Sequence, residues 1–412
     1  MWESLKRIYH YALAWLGSFL YGNPSRRLYV IGVTGTKGKS TTAELISAIL
    51  ESAGKKTALL SSVRFKVDSQ TVKNTTSMTM PGRFFIQRWL RKAVQAGCQY
   101  AIIEVTSQGI LQHRHRFIDF DAVLFTNLKP EHIEAHGSFE KYRAAKASLF
   151  SYVDKNSKKP HKLFFINDED PSKEYFIGAV GGRGELVYFR REEFIEKDLG
   201  GGKYSIGDWL ASQFNLENAA AATAVAKTQG ISWSVIQKAL KNFRGVPGRL
   251  ETIQARPFRV VIDYAHTPGS LQEIYQALLG KSPRVKREAK LICVLGAAGG
   301  GRDKWKRPLM GKIAGQYCKQ IILTNEDPYN EPPEQILAGL KTGLQSVNFP
   351  GEHLREILDR RAAIQEALAL AAKNDTVVVT GKGCESWLHL AGGKKIVWDE
   401  RAVVEEELTQ LK

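Results

Sequence analysis

The sequence predicts an α/β fold: a P-loop-type central domain with a mostly parallel sheet, and a smaller Rossmann-like α/β domain at the C-terminal end. Three observations predict it. Short apolar, β-branched runs recur at 29–34, 56–61, 100–105, 122–127, 260–263, 291–295 and 376–379, as expected of strands buried on both faces. Segments with helical spacing alternate with them, the pattern of parallel sheets. A glycine-rich turn stands directly between the first run and the first long helix, at 35–38. Expected boundaries are an aromatic N-terminal helix and linker over 1–27, a central domain over 28–244 and a C-terminal domain over 245–412.

The first 27 residues are the unusual part. Trp2 to Tyr21 is apolar and aromatic with an early basic pair, Lys6 and Arg7. Leu5, Ile8, Leu13, Leu16 and Leu20 fall at helical spacings. The apolar stretch is too short to span a bilayer. Two readings stand: a helix packed on the globular body, which is preferred, or an interfacial helix in peripheral contact with a membrane. Asn23-Pro24 ends the segment.

Next comes Tyr29-Val30-Ile31-Gly32-Val33-Thr34-Gly35-Thr36-Lys37-Gly38-Lys39-Ser40-Thr41-Thr42. A strand, a glycine-rich turn and a helix N-terminus make an anion site, because backbone N–H groups converge there and the helix dipole adds positive charge. Lys39 can reach terminal phosphates, and the Ser40 or Thr41 hydroxyl can ligate Mg²⁺. Val33 stands where the first glycine of the usual phosphate-loop spacing would be, so this is the shorter T-G-T-x-G-K-[ST]-T form. An ordinary glycine-rich turn is the alternative.

Residues 61–80 are polar and aperiodic and read as loop. Pro81 starts a helix carrying Phe84, Phe85, Ile86, Trp89 and Leu90. The strand at 100–105 carries Glu104 near its C-terminal end, the usual place for a Mg²⁺ ligand beside a phosphate loop. After the strand at 122–127 come Glu131-His132 and a helix with Tyr142, Lys146, Leu149 and Phe150.

Over its 412 residues, apolar content of 43% and charged content of 25% are those of a globular protein. A net charge of +17 suits polyanionic ligands. No basic segment interleaved with aromatics suggests a nucleic-acid face. Cys98, Cys293, Cys318 and Cys384 lie far apart, giving neither a zinc site nor a disulfide framework, which points to a reducing cytoplasm.

Several further stretches carry a resemblance: Glu104-Val105-Thr106-Ser107, Phe125-Thr126-Asn127-Leu128, Tyr142-Arg143-Ala144-Ala145-Lys146, Asn215-Leu216-Glu217-Asn218, Pro247-Gly248-Arg249-Leu250-Glu251, Asp263-Tyr264-Ala265-His266-Thr267-Pro268, Gly299-Gly300-Gly301-Arg302-Asp303-Lys304 and Gly381-Lys382-Gly383-Cys384-Glu385. In this order, with the phosphate loop and Glu131-His132, they resemble the Mur ligases, most closely the tripeptide-synthetase branch. The resemblance implies an ATP- and Mg²⁺-dependent ligase that joins a muramoyl-peptide-type carboxylate to an amino acid through an acyl phosphate.

It further implies metal ligation by Ser40, Glu104, His132 and Lys146, the last as a carbamylated lysine. It places Asn218 on the adenine, Arg249 at the hinge, and Asp263, His266 and Arg302 on the nucleotide side. Thr79, Thr106, Gln112 and Arg114 would contact the donor. Glu326, Asp327, Tyr329 and Glu385 would hold the acceptor.

The sequence departs from the family in four places. The N-terminal domain that grips the uridine diphosphate has only the short aromatic segment in its place. Thr-Thr-Pro is Thr79-Met80-Pro81. The acceptor motif Asp-Asn-Pro-Arg is Glu326-Asp327-Pro328-Tyr329, and Cys384 replaces a histidine. Tyrosine cannot grip a distal carboxylate as arginine does. The resemblance leaves three other readings: a folylpolyglutamate-synthase-like enzyme, a polyglutamate ligase with a membrane-associated N-terminus, and a nucleotide-binding pseudo-ligase.

Overall fold

The computed structural model describes residues 2–131, 136–202, 208–279, 290–301 and 304–411. His132 and Arg302, both read as site residues, lie outside the described residues. The chain divides into two compact units, 1–244 and 245–412.

In the first unit the strands are β1 (Tyr29–Thr34), β2 (Thr57–Leu60), β3 (Arg64–Val67), β4 (Gln70–Lys73), β5 (Tyr100–Glu104), β6 (Ala122–Phe125), β7 (Leu163–Asn167) and β8 (Glu185–Phe189). They form one sheet in the order β4-β3-β2-β5-β1-β6-β7-β8. Neighbours are parallel except β2–β3 and β3–β4. The helices that matter here are α1 (Trp2–Leu20), α2 (Lys39–Ser52), α3 (Arg83–Gln95), α4 (Ser107–Leu111), α5 (Phe139–Asn156) and α6 (Gln213–Thr228).

Two apolar clusters cover the two sheet faces, and the period-2 alternation of β1 divides its side chains between them. Val30 joins Ile86, Trp89, Leu149 and Phe150 on one face. Ile31 and Val33 join Ile46, Ile49, Ala222 and Val225 on the other. Because β1 lies between β5 and β6, its C-terminal end opens at a topological switch point, where ligands bind in such sheets.

The second unit is a sheet of β9 (Glu251–Gln254), β10 (Arg259–Asp263), β11 (Leu291–Leu295), β12 (Gln320–Leu323), β13 (Leu354–Glu356) and β14 (Thr376–Thr380), in the order β13-β12-β11-β14-β10-β9. It is parallel except for the antiparallel β9–β10 pair. Helices α7 (Pro268–Leu279), α8 (Lys306–Tyr317), α9 (Pro333–Gln345), α10 (Arg360–Ala369) and α11 (Glu400–Gln410) accompany it, with a small hairpin of β15 (Trp387–His389) and β16 (Lys395–Val397).

Three expectations need correction. The stretch 61–80 holds the β3–β4 hairpin. Its β4 residues are all exposed, so they lack the apolar signature of a buried strand, and Asp68 makes the turn at φ 54°. The helix after Pro81 begins at Arg83. Third, Cys293 and Cys318 are joined as a disulfide, with Cα atoms 6.1 Å apart. Cys293 lies on β11 and Cys318 follows α8, so the crossover helix returns the chain to the strand it left. Cysteine spacing therefore no longer supports a reducing compartment.

In the second unit α8 and α9 touch backbone to backbone. A Cβ on Gly311 would sit 1.9 Å from the Leu340 carbonyl oxygen, and one on Gly343 1.9 Å from that of Pro308. Gly311→Ala must push the helices apart and should destabilise the protein by about 1–3 kcal/mol, the usual cost of overpacking. Gly351→Ala, where nothing lies within 4 Å, is the control. Thermal unfolding of both variants checks it, and equal melting temperatures would refute the close approach.

Candidate active site

The turn after β1 is held from below by the end of β6. Thr126 Oγ1 donates to the Lys37 carbonyl at 2.7 Å, Lys37 N donates to Asn127 Oδ1 at 3.0 Å, and Thr36 N donates to the Asn127 carbonyl at 2.8 Å. The Thr36 and Tyr142 hydroxyls meet at 3.0 Å. Gly38 is the N-cap of α2 at φ 79°, a conformation suited to glycine. A Cβ there would stand 2.1 Å from Asn218 Oδ1, which also accepts from Thr42 Oγ1 at 3.2 Å. Asn218 thus rests on the loop itself.

Two lysines converge on this turn. Lys39 Nζ donates to the Thr36 carbonyl at 2.8 Å and Lys146 Nζ to the Gly35 carbonyl at 2.6 Å. Lys146 is 2% exposed and lies over the Tyr142 ring, 4.8 Å from its centroid. Burial first, and the Lys39 charge second, hold its ammonium well below the ordinary lysine value.

Glu104 ends β5 beside the turn. Its Oε2 accepts from Ser40 Oγ at 3.0 Å, Ser62 N at 2.8 Å and Ser62 Oγ at 2.9 Å. Ser62 Oγ also meets Thr79 Oγ1 at 2.8 Å. Among the described residues no three His, Cys, Asp or Glu side chains cluster as a metal cage. One carboxylate and one hydroxyl, both hard oxygen donors, nonetheless suit Mg²⁺, which keeps waters and substrate phosphates for its other positions. Thr41 is buried in the first turn of α2.

Of the donor residues, Thr106 caps α4, its Oγ1 accepting from Gly109 N at 3.1 Å. Gln112 and Arg114 meet each other, with Arg114 Nη2 donating to Gln112 Oε1 at 2.5 Å. Ser62 was not singled out in the sequence. Only its contact with Glu104, forty-two positions away, marks it.

The residues expected at the acceptor lie in the second unit. Lys382, 0% exposed, donates to both carboxylate oxygens of Asp327 at 2.9 Å and to Glu385 Oε2 at 2.5 Å. Tyr264 Oη donates to Glu385 Oε1 at 2.9 Å. Tyr329, at φ 52°, stacks on His389 with centroids 5.0 Å apart. The nucleotide-side residues make local contacts. Asp263 accepts from Leu250 N and Ala265 N at 2.6 and 2.7 Å, His266 Nδ1 meets the Tyr264 carbonyl at 2.8 Å, and the Arg249 guanidinium lies 4.3 Å from the Tyr264 ring centroid.

Glu326 is buried, and its Oε2 has no hydrogen-bond partner. Burial, against the opposing pull of Lys306, Lys382 and Arg360, pushes its carboxyl up to about 7 from 4.5. A raised folded-state value means that its contribution to stability is present below pH 4.5 and lost as pH rises to about 7. Glu326→Gln, uncharged throughout, should gain on the wild type by up to about 3 kcal/mol at pH 8 and little at pH 4.5. Urea unfolding across that range tests this. A difference that does not change with pH would show that Glu326 is ionised in the fold.

Two family models match the chain: the Mur ligase middle domain over residues 33–226 and the Mur ligase, glutamate ligase domain over 248–383. A UDP-N-acetylmuramyl-tripeptide synthetase of Roseiflexus sp. is 36% identical, covering 97% of this chain and 82% of that one. A UDP-N-acetylmuramoyl-L-alanyl-D-glutamate–2,6-diaminopimelate ligase of Geobacillus kaustophilus is 34% identical over 95% of this chain and 81% of that one. A solved UDP-N-acetylmuramoyl-L-alanyl-D-glutamate–2,6-diaminopimelate ligase aligns with TM-score 0.58 at 28% identity, covering 93% of this chain and 79% of that one. Folylpolyglutamate synthase of Mycobacterium tuberculosis aligns with TM-score 0.69 at 16% identity, covering 90% and 92% of the two chains, a likeness of fold alone. With both its central and C-terminal units matched, the chain belongs to the Mur ligase family.

Proposed function

We propose that this chain uses ATP to join a muramoyl-peptide carboxylate to the amine of an amino acid, by way of an acyl phosphate. The observation that supports it best is the convergence of Lys39, Lys146, the α2 N-terminus and the Ser40–Glu104 pair on one turn. For the donor carboxylate to attack the γ-phosphate, two anions must come within bonding distance, and fixed positive charge must screen them. Lys39 and the backbone N–H groups of the turn do this. Ser40 and Glu104 would hold Mg²⁺, which when bound neutralises phosphate charge. ATP dependence also fits the nucleotide complexes of the folylpolyglutamate synthase neighbour. The amine then attacks the acyl carbon and phosphate leaves. Glu385, held by Lys382 and Tyr264, is placed to accept from the acceptor ammonium.

The acceptor proposed is an amino acid without a distal carboxylate, such as lysine. Tyr329 offers no cation, and Lys382 already serves two carboxylates. Phosphate release with ATP, UDP-N-acetylmuramoyl-L-alanyl-D-glutamate and a panel of acceptors tests both parts. Lysine should exceed 2,6-diaminopimelate at least about tenfold in kcat/KM, since an unpaired buried carboxylate costs several kcal/mol. No release with any acceptor would sink the ligase reading, and faster reaction with diaminopimelate would sink the acceptor.

Lys146 is the proposed site of carbamylation. Burial and the neighbouring Lys39 charge depress its pKa and so favour the unprotonated amine, the form that adds CO₂. The product is an anion that can ligate Mg²⁺ and ends the repulsion with Lys39. Lys146→Ala should lose most turnover, by about a hundredfold or more for an electrostatic group of this kind, and regain part of it with added acetate or formate. Carbon-13 NMR with labelled bicarbonate should show a carbamate in the wild type and none in the variant. An unmodified wild-type amine would rule it out.

Helix α1 exposes Ile8, Tyr9, Trp15, Phe19 and Leu20 while Ala14 and Ser18 are buried. No helix among the described residues is long and apolar enough to cross a membrane. Peripheral contact with the cytoplasmic face of a membrane, by an interfacial helix in a chain of net charge +17, fits this exposed face.

A further inference from the structure

Beside the donor residues, the first unit holds a pair of guanidinium groups. Arg83 opens α3 and Arg114 follows α4. Gln112 clips them together: its main-chain oxygen accepts from Arg83 Nη2, and its Oε1 accepts from Arg114 Nη2 at 2.5 Å. Arg114 Nη1 also donates to the Met80 carbonyl. The Nε of each arginine is buried without a partner. Burial lowers both pKa values, and the Arg114 charge lowers that of Arg83 further against an opposing pull from Tyr9.

The N-terminus of α3 adds to the imbalance. It has no acidic residue in its first turn and no side-chain cap, so its free N–H groups and positive dipole end lie at Arg83. Like charges held together with unsatisfied donors are costly unless an anion joins them. Among the described residues no carboxylate is bonded to either guanidinium, which suits the pair to an anionic ligand. A short run of contacts links the arginine pair to Glu104. Arg114 holds the Met80 carbonyl, and the neighbouring Thr79 reaches Glu104 by way of Ser62.

We propose that Arg83 is a donor-binding residue which, together with Arg114, grips the donor carboxylate that is not activated. This rests on the proposed donor, whose terminal glutamate carries two carboxylates, one of which becomes the amide. A planar guanidinium fork matches a carboxylate in two parallel hydrogen bonds. Holding the spare carboxylate at the cleft leaves the other to meet ATP, so the pair sets which of the two reacts. Arg114 belongs to the donor motif of the family; Arg83 adds the second cation and the selectivity.

The test uses the full chain as wild type, Arg83→Gln and Arg83→Lys, with two donors: the glutamate form and one whose spare carboxylate is an amide. The wild type should prefer the acid by about tenfold or more in kcat/KM, as expected for hydrogen bonds to a charged group. Arg83→Gln should lose that preference through donor KM, with ATP KM within about twofold of wild type, and Arg83→Lys should keep part of it. A preference for the acid that persists undiminished in Arg83→Gln would overturn the proposal. Calorimetry with malonate and acetate separates this from failure of the ligase reading. Malonate binding that depends on Arg83, in a protein that turns over no muramoyl donor, would keep the anion cleft and overturn the donor assigned to it. Malonate binding equal in wild type and Arg83→Gln would overturn the cleft itself.

Discussion

An excess of positive charge at the C-terminal end of β1 governs the first unit. Lys39, Lys146 and the dipole of α2 meet at one turn, and the buried carboxylate beside them, Glu104, is already engaged by Ser40 and Ser62. Burial makes this arrangement unfavourable without a ligand, and Lys146 responds by losing affinity for its proton. The surroundings are rigid for the same reason. Thr126, Asn127 and Tyr142 hold the loop from one side and Asn218 from the other. The electrostatic preorganisation that favours triphosphate is thus built into the fold before any ligand arrives.

What was legible in the sequence was local. A buried parallel strand is a short apolar run, and a phosphate loop must place glycine, lysine and hydroxyl at fixed steps, so β1, β5, β6 and the loop could all be read in one dimension. The hairpin of β3 and β4 could not, because β3 is only partly buried and the edge strand β4 is exposed along its length, so neither has the code of a buried strand. The Cys293–Cys318 pair could not, because its proximity depends on where α8 returns. Ser62 and Arg83 are ordinary in sequence and become informative only against Glu104 and Arg114. In the second unit, Asp263 accepts from the backbone N–H groups of Leu250 and Ala265, contacts that the sequence does not reveal.

In the second unit, charge of the opposite sign is gathered around Lys382. This lysine has no exposed surface and satisfies its three donors with Asp327 and Glu385. Loss of Lys382 would leave the buried Asp327 carboxylate without its cation, a far larger penalty than the net worth of the pair. The motif residues Asp327, Lys382 and Glu385 therefore hold one another in place whatever the acceptor is. Under the proposed function, acceptor specificity would fall to residues outside that triad, and the arginine-to-tyrosine change at 329 lies there. The ring of Tyr329 stacks on His389 and its backbone adopts a left-handed turn. The substitution has its own packing and does not leave a hole where arginine would be.

Helix α1 connects these local arguments to the donor side. It packs through a narrow seam: Ala14 and Ser18 are buried, and Ser18 Oγ donates to the Phe117 carbonyl at 3.1 Å. Tyr11 meets Phe117 and His113 edge-on. His113 and Phe117 hold positive φ angles of 57° and 60°, which non-glycine residues adopt only when neighbours enforce them. The segment between them carries Arg114. Bracing by α1 therefore fixes a strained turn whose arginine must stand close to another arginine, an arrangement that a slack loop would relax by swinging one charge into solvent. Trp15 and Phe19, stacked on each other at 5.8 Å, stand on the exposed side. One short helix thus presents two chemically different faces, and the packed one, through Tyr11 and Ser18, braces the turn that carries Arg114.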